Sequence, residues 1–271
     1  MKFRDQLVIV ALAASAVPAA ATAQQADKPL GRDKSVGFSI TSGVDFSVGS
    51  YGGPADTKIL VAPLSFRGST GSLRFSATLP YLRIDSPANI VGGGEQGPII
   101  IDPNGSAPRT VREGLGDLSL AVTYALPKEN LAGFEIDLTG RVKLPTASHR
   151  EGLSTGKTDF GASVDISRTI GTATPFVTLG YRVPGDLAGF DLKNTVSASI
   201  GSGFTLGSVA AIASYDYSSA TSALSEDSHS LFAALAAPLS KRLTLTGYGI
   251  AGLSNGAPDY GVGLLVTAKV F

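Results

Sequence analysis

Residues 133–145, GFEIDLTGRVKLP, alternate with the two-residue period of a β-strand. Phe134, Ile136, Leu138, Val142 and Leu144 share one face, and Glu135, Asp137, Thr139, Arg141 and Lys143 share the other. One face is apolar and the other carries four charges. A strand of a water-soluble sandwich, its charges in solvent, has the same pattern as a strand of a membrane barrel, its apolar face in lipid. The choice rests on the surrounding chain.

The chain has 271 residues and is 43% hydrophobic, with 22 basic and 22 acidic side chains. A neutral chain with 16% charged residues gives no reason to expect a nucleic-acid partner. Cysteine is absent, which excludes disulfides, thiolate metal sites and a cysteine nucleophile. Residues 1–23 read as a secretory signal: Lys2 and Arg4 precede an apolar run, and Ala21-Thr22-Ala23 is a small-residue cleavage site. A short polar lead-in, residues 24–34, follows, and residues 35–271 read as one domain. No later stretch has the roughly 20 apolar residues of a spanning helix.

What does recur is the alternation. Val44, Phe46 and Val48 lie on one parity of a first strand, and Leu60, Ala62, Leu64 and Phe66 on one parity of a second. Leu73, Phe75 and Tyr81 mark a third strand, and residues 116–126 a fourth. The pattern continues to a last strand carrying Tyr260, Val262, Leu264 and Val266, for about twelve strands in all. Odd-numbered connections are longer or more polar, as in residues 85–113, 146–157 and 218–227. Even-numbered ones are short, through Gly68-Ser69, residues 127–130, Gly171-Thr172, residues 201–203 and Leu239-Ser240. Loops sorted by parity are what a two-ended barrel predicts, with short periplasmic turns and longer external loops. The expected fold is an all-β transmembrane antiparallel barrel in a bacterial outer membrane, lipid around it. Tyr81, Tyr181, Tyr215 and Tyr217 then fall near the outer rim, and Phe66, Phe75, Phe134 and Phe204 near the inner one.

An apolar exterior leaves the lumen to the polar parity. That points Arg74, Asp117, Glu135, Asp137, Arg141, Lys143, Asp159, Asp165, Arg182, Asp191 and Lys193 inward. They either line a path for a small-molecule solute or neutralise one another as a plug. Ile99, Ile100 and Ile101, in the long third connection, either fold inward as a constriction or form a small external hairpin. The two histidines, His149 and His229, lack a metal-ligand spacing and read as loop residues, so neither a metal nor another cofactor is expected. Gly114-Leu115-Gly116-Asp117 opens a strand rather than a helix, which removes a phosphate-loop reading.

Three stretches, GLGDLSLAVTYAL (114–126), GRVKLPTA (140–147) and TGKTDFGASVDISRTIGTATPFVTLGY (155–181), follow one another in an order that resembles the MetA-pathway of phenol degradation family. Asp117, Lys143, Pro145, Thr146, Gly156 and Asp159 match its motifs, while Ala147 replaces a glycine. The resemblance implies a Gram-negative outer-membrane barrel that passes phenolic or other aromatic compounds. It also implies insertion by barrel-assembly machinery through the C-terminal strand, although Phe271 lies on the parity opposite to the lipid-facing residues of that strand. A catalytic role is not expected. The alternatives are a plugged structural or adhesive barrel, or a barrel enzyme such as a lipid hydrolase with a rim site near His149 or His229.

Overall fold

The computed structural model describes residues 36–53, 55–87, 90–91, 99–100, 108–127, 131–186 and 191–270. The expected signal and lead-in, residue 101 and Phe271 lie outside them. The strands are β1 (Gly37–Gly49), β2 (Thr57–Thr70), β3 (Leu73–Pro87), β4 (Ile90–Val91), β5 (Ile99–Ile100), β6 (Arg109–Leu115), β7 (Leu118–Ala125) and β8 (Glu135–Leu144). They continue as β9 (Asp159–Ser167), β10 (Ala173–Val183), β11 (Thr195–Leu206), β12 (Val209–Ser218), β13 (Ser228–Pro238), β14 (Leu243–Gly252) and β15 (Tyr260–Lys269).

Every wall strand pairs antiparallel with its neighbours, and β1 pairs with both β2 and β15, so the sheet closes on itself. Closure removes the free edges that an apolar sheet could not leave in lipid. Thirteen strands belong to the sheet, but β6 and β7 are the upper and lower halves of one wall strand along β3, which leaves twelve around the barrel. The halves are offset by a bulge. Val111 and Leu115 are exposed in β6, whereas Val122 and Tyr124 are exposed in β7, so the outward parity flips across Gly116 and Asp117. A side chain at Gly116 would meet Pro80 and Leu82 at 2.8 and 2.9 Å, which is why the bulge takes glycine.

One end of the barrel carries the longer connections, and the other carries short turns such as Gly71-Ser72 and Gly207-Ser208. Three expected boundaries move. The turn read at 201–203 is strand: β11 runs on to Leu206, takes in Phe204, and turns at Gly207 with φ +65°. Gly201 faces inward, where an added Cβ would lie 2.6 Å from the Phe176 ring, so this glycine makes room and does not turn the chain. The second hairpin, read through residues 68–71, is strand up to Thr70 and turns at Gly71 (φ +56°). The third connection shortens because the wall continues to Pro87 and resumes at Arg109, held by the outward pairs Arg109–Asp85 (2.6 Å) and Arg83–Glu113. Charges on the outer face here mark the wall rising clear of lipid.

Below them the exterior is an apolar belt. In the opening stretch Phe134 and Leu138 are exposed, and on the last strand Tyr260, Val262, Leu264 and Val266. Tyr81, Tyr181 and Tyr215 are exposed towards the end with the long connections, and Phe66, Phe75, Phe134 and Phe204 towards the other. Tyr217 is half-buried, its ring centroid 5.1 Å from that of His229. A closed sheet with such an exterior is a transmembrane barrel.

The interior is less polar than alternation on one face predicts. Phe176, Ile212, Phe232, Ala234, Tyr248, Ile250 and Leu265 form one buried cluster inside the wall of β10 to β15. Tyr51, Ile59, Val61, Leu82, Ile84 and Leu153 form a second, nearer the long connections. Several of these seat on glycine: Leu265 over Gly43, Tyr248 over Gly263 and Phe176 over Gly201, each where a Cβ would come within 3 Å of the larger side chain. The lumen therefore carries charges along β8 to β10 and, elsewhere, apolar clusters set among buried hydroxyls.

Candidate functional site in the barrel lumen

The bulge places Asp117 inside the barrel, and the chain after β8 is folded around it. Thr146 Oγ1 accepts a hydrogen bond from Leu118 N–H (2.8 Å) and donates to the Gly116 carbonyl (3.2 Å). Ala147 N–H and Ser154 Oγ–H donate to the two Asp117 oxygens at 3.0 and 2.5 Å. Gly156 N–H then donates to Ser154 Oγ (2.9 Å), with Gly156 at φ +68°. These bonds turn residues 145–158 back into the lumen, and Leu153, 2% exposed, enters the second apolar cluster. Tyr51 closes that cluster and donates to Ser47 Oγ (3.0 Å); burial pushes its phenol well above the usual range, so it stays protonated.

Lys143 is buried beside the same carboxylate. Its Nζ lies 3.0 Å from Asp117, 3.3 Å from Asp159 and 3.3 Å from Thr155 Oγ1. Asp159 is shared further: Arg182 Nη2 lies 3.6 Å away, and Gly185 N–H donates to it at 3.0 Å. A buried lysine between two carboxylates is compensated only while both stay ionised and in place. The motif residues Asp117, Lys143, Thr146, Gly156 and Asp159 are thus in one network, which fastens a connection inside the barrel.

Beside this network an open cavity lies against β8 to β11. Arg141, Lys143, Asp159 and Arg182 supply its charges, and Ser119, Thr139, Ser163, Thr195 and Ser197 its hydroxyls. Gly161 stands in register with Arg141 on one side and Arg182 on the other, so no side chain separates the two arginines at this level. At the neighbouring level a Cβ on Gly180 would lie 2.4 Å from Ser197 Oγ, so that glycine gives the hydroxyl its place.

Lower in the barrel, Arg74 pairs with Asp137 at 2.5 Å, and Asp165 accepts from Thr178 Oγ1 within electrostatic reach of Arg74, Asp137 and Arg141. Glu135 is half-buried at the turn end of β8. Asp191 and Lys193 are exposed in the connection before β11, outside the wall. Ile99 and Ile100 form β5, which pairs with β4 in a separate two-stranded sheet. Among the described residues, the connections that reach the second apolar cluster are those of Tyr51 and Leu153. Alternation in the sequence also carried Asp45 and Asp216, which the expected lumen set omits. Asp45 accepts from Tyr248 (2.5 Å), and Asp216 from Ser199 (2.5 Å) and Ser214 (3.0 Å). Each sits singly between two apolar residues, Val44 and Phe46 or Tyr215 and Tyr217, which is the signal that could have found it.

His149 packs against Gly156, whereas His229 meets Tyr215 Oη through Nδ1 at 2.6 Å. No group of three or more metal-ligating side chains is present among the described residues.

The 90% of the chain that aligns with a crystal structure of the COG4313 outer membrane channel from Pseudomonas putida F1 spans 99% of that chain, with a TM-score of 0.66 at 12% identity. The chain has the fold of an outer-membrane β-barrel. The transport unit of the autotransporter AIDA-I from Escherichia coli aligns with 90% of this chain and 93% of its own, at TM-score 0.49 and 12% identity. The outer membrane channel DcaP of Acinetobacter baumannii aligns with 89% of this chain and 98% of its own, at TM-score 0.40 and 10% identity. No family model and no curated relative matches the sequence.

Proposed function

We propose that the protein is a bacterial outer-membrane channel for passive passage of small molecules, inserted through its C-terminal strand and constricted by the connection that carries Leu153. The observation that carries this reading is the cavity against β8 to β11: a lumen that served only as structural filling has no reason to keep hydroxyls and guanidinium groups around open space. The fold shared with the P. putida channel supports it, and so do the motif residues of the phenol-degradation family, which meet in the lumen network. That resemblance extends the proposal to aromatic or modestly apolar solutes, for which the apolar clusters along β10 to β15 offer a suitable wall. Liposome swelling by the pure protein tests it: entry of small phenols and sugars faster than through protein-free liposomes supports a channel, and equal rates oppose it.

The same apolar clusters favour a second reading, a plugged structural barrel whose external connections bind a partner. Deleting the chain between the wall strands β3 and β6 separates the two, because a binding role of that connection is then lost and passive flux is kept.

A further inference from the structure

The channel reading leaves open what the cavity against β8 to β11 selects. Its lining carries three cations, Arg141, Lys143 and Arg182, and one carboxylate, Asp159. Lys143 is engaged by Asp117 and Asp159, and Arg182 lies 3.6 Å from Asp159. Arg141 and Arg182 approach from opposite sides of Gly161, where no side chain intervenes. Ser163 Oγ, also in the lining, is buried without a hydrogen-bond partner. Two guanidinium groups across a notch, with a hydroxyl donor beside it, match the charge and the planar two-oxygen geometry of a carboxylate.

We infer that this cavity is a binding site for small organic carboxylates, gripped by Arg141 and Arg182 across Gly161. The inference rests on the channel reading for the route by which a solute reaches the site. The site itself is tested by saturation-transfer NMR on the full barrel folded in detergent, with butyrate as the probe and butyramide as its uncharged counterpart. Butyrate is expected to bind saturably and butyramide far more weakly. The R141Q/R182Q double variant is expected to weaken butyrate binding about tenfold or more, the loss that follows when charge-assisted hydrogen bonds are removed. Gly161→Val is the second variant. A Cβ there meets only ordinary contacts, 3.6 Å from the Tyr181 carbonyl and 3.8 Å from Arg141 Cβ, so the barrel can fold while the notch is filled. Equal binding of butyrate and butyramide, or unchanged butyrate binding in both variants, overturns the inference. Conductance of the same samples in planar bilayers tells the two failures apart. A conducting barrel that ignores butyrate contradicts the carboxylate site alone, and a silent barrel that binds it contradicts the channel alone.

Discussion

Ser154 Oγ donates a 2.5 Å hydrogen bond to the carboxylate of Asp117, and both residues are buried inside the barrel. The bond joins an external connection to a bulge in the wall, so the wall's irregularity and the narrowing of the lumen are one feature.

If that bond and the apolar seat of Leu153 hold the connection inside, Leu153→Asp should release it. A charged group cannot remain among Tyr51, Ile59, Val61, Leu82 and Ile84 without several kcal/mol of penalty. Residues 145–158 of the variant are expected to become cleavable by added protease, while the wild-type protein resists under the same conditions.

Removing Lys143 leaves Asp117 without its cation and Asp159 with Arg182, 3.6 Å away. Lys143→Met should lower stability by about 3–5 kcal/mol, the usual cost of breaking a buried ion pair from one side. Urea unfolding in detergent micelles reads the loss. The double variant with Asp117→Asn should recover much of it, because Asp159 keeps Arg182 and the other buried carboxylate is gone.

The seating of Tyr248 over Gly263 gives a packing test. A Cβ at Gly263 would lie 2.2 Å from the tyrosine ring, and every near atom belongs to that side chain. Gly263→Ala is expected to cost about 1–3 kcal/mol as overpacking. Combining it with Tyr248→Leu should cost less than the two single changes added together, a coupling measured by the double-mutant cycle.

On the outer face, Leu179 lies within the apolar belt and Tyr181 nearer the rim. Leu179→Lys should destabilise the barrel in lipid by about 2–4 kcal/mol and Tyr181→Lys by about 0–1 kcal/mol, since a charge costs less near the interface. Equal costs in reversible unfolding from lipid vesicles would place the belt wrongly.

The wall was legible in the sequence because lipid demands strict alternation on the outer face. Phe134, Leu138, Val262 and Leu264 announce it, and the loop parity orders the two ends. The interior was harder to read. Lumen positions answer to shape as well as polarity, so Phe176, Tyr248 and Leu265 sit on the polar parity, opposite glycines that give no signal until their partners are known. Gly201 and Gly203 looked like a turn for that reason. The charges of residues 133–145 do face inward, and Lys143 found its partners in Asp117 and Asp159, two other motif positions. What alternation could not show was that Leu153, in the connection after β8, packs into an apolar cluster inside the lumen.

Single-channel conductance in planar bilayers, wild type against Leu153→Asp, tests the central claim most directly. The account predicts small, stable steps for the wild type and clearly larger steps once the connection is released. Silence from both proteins, or steps of the same size from each, would contradict it.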